Sequence, residues 1–287
     1  MRKLMKWIGR GLLALVLVAA VVGLWKRDEV ARLSAVLSLF SEDRIVGNFS
    51  GMSGIFLSKP LVQSNLSASP LPAGPTATLP QPVTDWIAAR DVTALVVLKD
   101  GAVVFEDYYK GTGPDDLRIN WSVSKSYLSA LMGVLLDEGA ITSIDDPVVQ
   151  YAPDLANSAY RDASIKDVLQ MSSGVTFDED YLAFFSDINK MGRVLALGGS
   201  MDAFAAGQTE SFAAPGTQWK YVSIDTHVIG MVIRGATGRD IPGLLTEKII
   251  APLQMQANPI YLTDGYGVAF VLGGLNTTTR DNARSGR

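Results

Sequence analysis

The chain has 287 residues, a formal net charge of −4, no cysteine and one histidine. The slightly acidic balance offers no basic surface for a phosphate backbone, which argues against a nucleic-acid partner, and the lack of cysteine excludes disulfides, thiolate metal sites and cysteine catalysis. Because histidine is nearly absent, any acid–base chemistry must fall to Lys, Tyr, Asp or Glu. We predict no metal and no cofactor.

The N-terminus has the layout of an export signal. Four positive residues precede an uncharged apolar run of 15 residues from Gly11 to Trp25, which suits a cleaved signal and, extended over residues 5–8, could also span a bilayer. Val21-Val22-Gly23 is a poor cleavage site. We therefore expect residues 1–30 to be an inner-membrane anchor with the rest of the chain facing the periplasm. A cleaved signal, which would release a periplasmic protein, and a buried core helix are the alternatives.

Residues 31–85 are predicted to be a Pro-rich linker. Six of the thirteen prolines lie between Ser41 and Thr84, among Ser, Ala and Thr. This composition favours extended, weakly packed chain. We expect the segment to tether a folded domain, residues 86–287, away from the bilayer.

The folded domain begins with strands and continues mostly with helices. Two β-rich runs, 92–98 and 102–109, flank Asp100-Gly101, which predicts a hairpin. Ser122 to Glu138 is apolar on nearly every side, which predicts a buried helix. Further helix-like runs are Ile165–Met171, Met191–Leu197, Ile224–Thr237 and Leu244–Ile250. This order predicts an α/β (α+β) fold.

Ser122 and Lys125 form the candidate chemical motif. Positions i and i+3 share one face of a helix, so the serine hydroxyl and the lysine amine can meet. Burial and the positive helix N-terminus both lower the pKa of a lysine and let it act as a base. The spacing alone leaves another interpretation open, in which Ser122 caps the helix and Lys125 is solvated.

Several further segments accompany this motif in collinear order. They are Trp121–Ser126, Asp137-Glu138-Gly139, Ile144–Val148, Leu169–Val175, Pro215–Thr226 and Gly273–Asp281. Together they resemble the serine β-lactamase-related family, above all class C β-lactamases and 6-aminohexanoate-dimer hydrolases, over about residues 95–287. The resemblance implies a β-lactamase/transpeptidase-like fold, with an antiparallel sheet flanked by helices and a helical subdomain.

The resemblance also implies roles for individual residues. Ser122 matches the acylated serine, Lys125 the motif lysine and Tyr221 the proton-relaying tyrosine, while Ser223 is expected to hydrogen-bond the lysine or the substrate. The substrate would be a small amide, ester or lactam. His227 lies on an apolar run and is expected to be structural.

One part of the family pattern is missing from the sequence. The third motif, of the K-T-G or H-x-G kind, lies on a strand beyond the matched region, so we expect the domain to be incomplete at its C-terminus. A truncated, non-catalytic pseudoenzyme or an exported binding protein is therefore an alternative to an active hydrolase. A β-lactamase proper is another alternative, although Ser223 in place of Asn favours the hydrolase branch.

Overall fold

The computed structural model describes residues 2–63 and 68–286. Its helices are α1 (Arg2–Trp25), α2 (Arg27–Leu37), α3 (Ile45–Ser50), α4 (Met52–Ile55), α5 (Gln81–Ala89), α6 (Ser124–Asp137), α7 (Val148–Tyr151), α8 (Ile165–Leu169), α9 (Asp187–Ala196), α10 (Met201–Ala206), α11 (Ser223–Thr237), α12 (Ile241–Leu245), α13 (Ala251–Leu253) and α14 (Thr279–Ser285). Its strands are β1 (Ser58–Pro60), β2 (Ala94–Lys99), β3 (Ala102–Tyr108), β4 (Arg118–Ile119), β5 (Ile260–Leu262) and β6 (Leu275–Thr277). Short 3₁₀ helices lie at Trp121–Val123 and Pro153–Asn157, and a π-helical turn covers Thr246–Ile250.

Antiparallel pairing builds a four-stranded sheet in the order β1-β5-β6-β4. In its register Ile260 faces Asn276 and Arg118 faces Thr277. Strand β4 ends two residues before the 3₁₀ turn that leads into α6. The sheet therefore fixes the position at which α6 begins.

The predicted hairpin is confirmed as β2 and β3. Its turn residues, Asp100 and Gly101, have φ values of 53° and 78°, and positive φ at both central residues is what a two-residue type I′ turn requires. A β-bulge interrupts the pairing between Val97 and Leu98. The hairpin forms a second, two-stranded sheet.

Helices α6 and α11 form the centre of the core. Buried side chains of α6 include Tyr127, Leu128, Leu131, Met132 and Leu135. Every residue of α11 from Ser223 to Ile233 is buried. The predicted helix after Ser122 is thus present, but it keeps one exposed face, and Ser122 itself lies on the preceding 3₁₀ turn.

The predicted linker is largely folded before its proline-rich half. It contains α3, α4 and β1, and its segment from residue 39 to residue 61 buries four apolar side chains in the core, those of Leu39, Met52, Phe56 and Leu61. The expectation of a weakly packed tether is therefore wrong for this part, because five of the six prolines come only after residue 69. Residues 64–67 lie outside the described residues. Helix α5 crosses the predicted limit at residue 85, and the outer domain limits stay predictions.

The N-terminal run forms α1, most of whose described side chains are exposed. In residues 2–63 and 68–286, no helix is both long and apolar enough to cross a membrane. The anchor stays a prediction. Export of the chain stays a prediction.

The packing of the N-terminal segment can be tested at Met52, which is 1% exposed. We expect Met52→Ala to lower the free energy of unfolding by about 2–5 kcal/mol, because it removes buried apolar volume and leaves a cavity. Urea unfolding measures the change. Leu57→Ala, at a side chain that is 37% exposed, is the control and should cost less than about 1 kcal/mol. Equal values for the two variants would show that the segment is not part of the core.

Candidate active site

Ser122 lies on a tight turn that the sheet holds in place. The backbone amide of Asn120 donates to the carbonyl of Leu275 in β6 at 2.8 Å, and the amide of Val123 closes the turn on the Asn120 carbonyl at 3.0 Å. Between them Trp121 has a φ of 42°, a left-handed conformation that costs a bulky residue about 1–3 kcal/mol. One residue past Val123, the buried Ser124 hydroxyl accepts a hydrogen bond from the Leu275 amide at 3.2 Å.

Three side chains that the sequence predicted to act together meet at this turn. The Ser122 Oγ lies 2.8 Å from the Tyr221 Oη and 3.1 Å from the Lys125 Nζ. Ser122 is exposed, while Tyr221 is 37% exposed. The serine is therefore open to solvent and lies within hydrogen-bonding distance of both partners.

The Lys125 amine is hydrogen-bonded to the backbone and largely shielded from solvent. Its Nζ donates to the carbonyl of Leu272 at 2.7 Å and lies 5.4 Å from the centre of the Tyr221 ring. Burial lowers the pKa of Lys125 below the ordinary lysine value, and this effect outweighs the opposing influence of Tyr221 and Glu179. A lysine with a lowered pKa is more readily neutral and can accept a proton.

A pocket of about 220 Å³ opens beside Lys125. Most of its wall is apolar and comes from Leu128, Val168, Leu169, Met171 and Ile229, and its polar lining comes from Lys125, Ser126, Ser129 and Thr226. Neither Ser122 nor Tyr221 lines this pocket, so of the three side chains only Lys125 borders it.

Ser223 does not make the predicted contact with the lysine. It is 1% exposed, and both its amide and its Oγ donate to the Glu179 carboxylate, at 2.5 and 3.2 Å. Contact of Ser223 with a substrate stays a prediction. Glu179 was not predicted from the sequence, because it stands between two aspartates in a loop and has no spacing signal of its own.

Asp225, also missed, ties α11 to the loop that follows α8. Its Oδ1 accepts hydrogen bonds from the hydroxyls of Tyr160 at 2.7 Å and Ser173 at 2.9 Å, while its buried Oδ2 has no partner among the described residues. Burial raises the pKa of Asp225 to about 7, against the lowering effect of the two hydroxyls. The carboxyl group is therefore partly protonated near neutral pH.

His227 lies apart from this group. It is buried, and its Nε2 is 2.7 Å from the Asp202 Oδ1, which also accepts a hydrogen bond from Arg234 at 2.6 Å. Burial raises the pKa of Asp202, but the hydrogen bonds and charges of His227 and Arg234 outweigh it and lower that pKa to about 2. These contacts join α10 to α11, and the structural role expected for His227 stays a prediction.

Comparison with known proteins places the chain in a known family. The Beta-lactamase family model matches residues 84–264. A 6-aminohexanoate-dimer hydrolase from Paenarthrobacter ureafaciens is 32% identical over 199 residues, which are 68% of this chain and 50% of that protein. The chain thus spans about half the length of this curated relative.

Solved structures show the same fold. The "Putative 6-aminohexanoate-dimer hydrolase from Bacillus anthracis" superposes with a TM-score of 0.76 at 19% identity, over 86% of this chain and 69% of that one. A D-stereospecific amidohydrolase from Streptomyces gives a TM-score of 0.52 at 20% identity, over 63% and 62% of the two chains. The predicted β-lactamase/transpeptidase-like fold, with an antiparallel sheet and many helices, is confirmed.

The chain belongs to the serine β-lactamase-related family. The match to the family model covers more than half of its residues, and the relatives compared above carry the names of hydrolases. The family resemblance expected from the motifs is confirmed.

The raised pKa of Asp225 predicts a particular dependence of stability on pH. An acid whose pKa is higher in the folded than in the unfolded chain stabilises the fold at low pH, and this stability is lost as pH rises from about 4 to about 7. The shift from 3.8 to about 7 corresponds to a loss on the order of 4 kcal/mol. Asp225→Asn, which cannot ionise, should not show this loss.

The measurement is the difference in free energy of unfolding between Asp225→Asn and the unmodified chain at several pH values. We expect this difference to rise in favour of the variant between pH 4 and pH 7 and to stay constant above pH 7. A difference that does not change with pH would mean that Asp225 ionises normally in the folded protein.

Proposed function

We propose that the chain is a serine hydrolase that cleaves a small amide or ester through an acyl-enzyme on Ser122. The observation that carries this proposal is that the Lys125 Nζ and the Tyr221 Oη both lie within 3.1 Å of the Ser122 Oγ. Tyr221 stands 99 positions from Ser122, so chain proximity does not explain this contact. A nucleophile within reach of a base that is itself oriented by a third group is the arrangement of covalent catalysis.

The proposed first step is attack of the Ser122 Oγ on the carbonyl carbon of the substrate. Neutral Lys125 accepts the hydroxyl proton, and Tyr221 donates its own proton to the leaving nitrogen or oxygen, which then departs with the bonding electrons. The tyrosinate recovers a proton from Lys125. Water next attacks the acyl-enzyme, the same pair accepts its proton, and Ser122 is released with its hydroxyl restored.

The substrate class is proposed from the name of a relative and from the pocket beside Lys125. The Paenarthrobacter relative is named as a hydrolase of the 6-aminohexanoate dimer. The apolar wall beside Lys125 suits a short aliphatic group. We therefore propose a small amide, with esters as more reactive surrogates and lactams as the competing class.

The roles of the three residues can be tested with a fluorophosphonate probe and with p-nitrophenyl esters. Ser122→Ala should abolish labelling and lower ester hydrolysis by at least about 10³-fold, because the nucleophile is lost. Tyr221→Phe should lower hydrolysis by about 10²- to 10⁴-fold, because proton transfer to the leaving group is lost.

Ser53→Ala is the control, since Ser53 is an exposed serine outside the pocket beside Lys125 and has no lysine three positions on. It should leave labelling unchanged. Peptide mapping that places the probe on any other serine would contradict the proposal. Comparison of a linear amide, an ester and a β-lactam then identifies the preferred substrate.

The lowered pKa of Lys125 predicts the pH dependence of acylation. Only the neutral amine accepts a proton, so the rate should rise with pH through the pKa of Lys125. We expect this rise to be centred below 10.5, the ordinary value. Stopped-flow measurement of the probe reaction gives the profile. Lys125→Arg, which stays charged, should remove the rise; a midpoint at or above 10.5 would argue against a dried lysine.

A further inference from the structure

The residue before the candidate nucleophile is held in an unfavourable conformation. Trp121 has a φ of 42°, and a bulky residue keeps such a conformation only where its surroundings impose it. The Ser122 hydroxyl is presented from the next residue along the chain. The contacts that hold Trp121 in this conformation therefore also determine the position of the Ser122 hydroxyl.

Two rings from the N-terminal segment pack on Trp121. Phe40 is stacked on it, with ring centres 5.8 Å apart and an interplanar angle of 28°, and Phe49 meets it edge-on, with centres 5.5 Å apart and an angle of 68°. Phe40 and Phe49 also contact each other edge-on at 6.0 Å. The three rings form a closed cluster, which we call the aromatic clamp.

The clamp is joined to the site at two further points. Arg118, three residues before Trp121, donates to the Val46 carbonyl at 3.2 Å and to the Ser50 hydroxyl at 2.7 Å, which ties α3 to β4. The indole also lies against Gly273, since a Cβ placed there would be 3.5 Å from the indole Cε3. Gly273 follows Leu272, whose carbonyl accepts the hydrogen bond from Lys125.

We propose that the aromatic clamp is a positioning device for the serine: Phe40 and Phe49 hold Trp121 in its left-handed conformation and so keep Ser122 within reach of Lys125 and Tyr221. This proposal rests on the proposed function of Ser122. It assigns a part in catalysis to residues 40–49, which lie outside the span that the family model matches. Phe40 and Phe49 are positioning residues, because they act through Trp121.

Loss of the clamp should change a different property from loss of ordinary core packing. The Phe40 side chain is 56% exposed, so its removal takes little apolar surface out of the core. A displacement of about 1 Å at a reacting group can lower a rate about 10²-fold. Loss of the Phe40 ring should therefore affect the reactivity of Ser122 more than the stability of the chain.

The test measures the second-order rate constant of fluorophosphonate labelling of Ser122 in the full 287-residue chain, with unfolding followed in parallel. We expect Phe40→Ala and Phe49→Ala to lower this rate constant by about 10- to 100-fold, and Phe49→Tyr, which keeps a ring, to restore most of it. Phe56→Ala is the matched control. It removes a buried ring from the same segment, and within the described residues the rings that contact Trp121 are those of Phe40 and Phe49.

Trp121→Gly separates positioning from general destabilisation. Glycine accepts positive φ without strain, so in this background the clamp has nothing left to hold. We expect Phe49→Ala to lower the rate constant no further once Trp121→Gly is present, a non-additive result. Fully additive losses would overturn the proposal, and so would a Phe56→Ala variant that slows labelling as much as Phe40→Ala.

The result for the unmodified chain distinguishes the two proposals. If its Ser122 does not react with the probe at all, the proposed function fails, and the clamp fails with it. If Ser122 reacts and Phe40→Ala reacts equally fast, the clamp alone is wrong.

Discussion

A lysine amine can take a proton from a serine only if it stands next to the hydroxyl and is kept partly dry. In this chain the first turn of α6 brings Lys125 to 3.1 Å from Ser122, and the carbonyl of Leu272 holds the amine from the other side. Helix α6 can supply such a site because one of its faces packs in the core, while Ser122, just before the helix, is exposed to solvent. The rest of the fold can be understood as the framework that keeps this pair in place.

The framework acts from three directions. Strand β6 accepts the Asn120 amide and donates its own Leu275 amide to the Ser124 hydroxyl, which fixes the beginning of the helix. Tyr221 lies in the segment just before α11, and buried Asp225 ties that helix to the loop after α8. The N-terminal segment packs on Trp121 from a third side. Each contact joins parts of the chain that are distant in sequence.

This difference in sequence separation explains how much could be predicted. Ser122 and Lys125 share one helical turn, and Asp100-Gly101 encodes its own hairpin, so local rules found both. Tyr221 was found only through the family resemblance. Glu179 has no periodic pattern that marks it, because its partner Ser223 is brought to it by the fold. The packed segment from residue 39 to residue 61 was misjudged because the average composition of residues 31–85 concealed the difference between an apolar half and a proline-rich half.

The packing of that N-terminal segment bears on how the protein can be divided. The family model begins at residue 84, and a chain shortened to this limit would keep every residue of the proposed chemistry. It would lack Met52 and Leu61 of the core and the two rings that pack on Trp121. It would also lack β1, the outer strand of the four-stranded sheet. The bare side of β5 would then offer unpaired backbone groups to other chains. The shortest segment that carries the motifs is therefore shorter than the shortest segment that completes the core and the sheet.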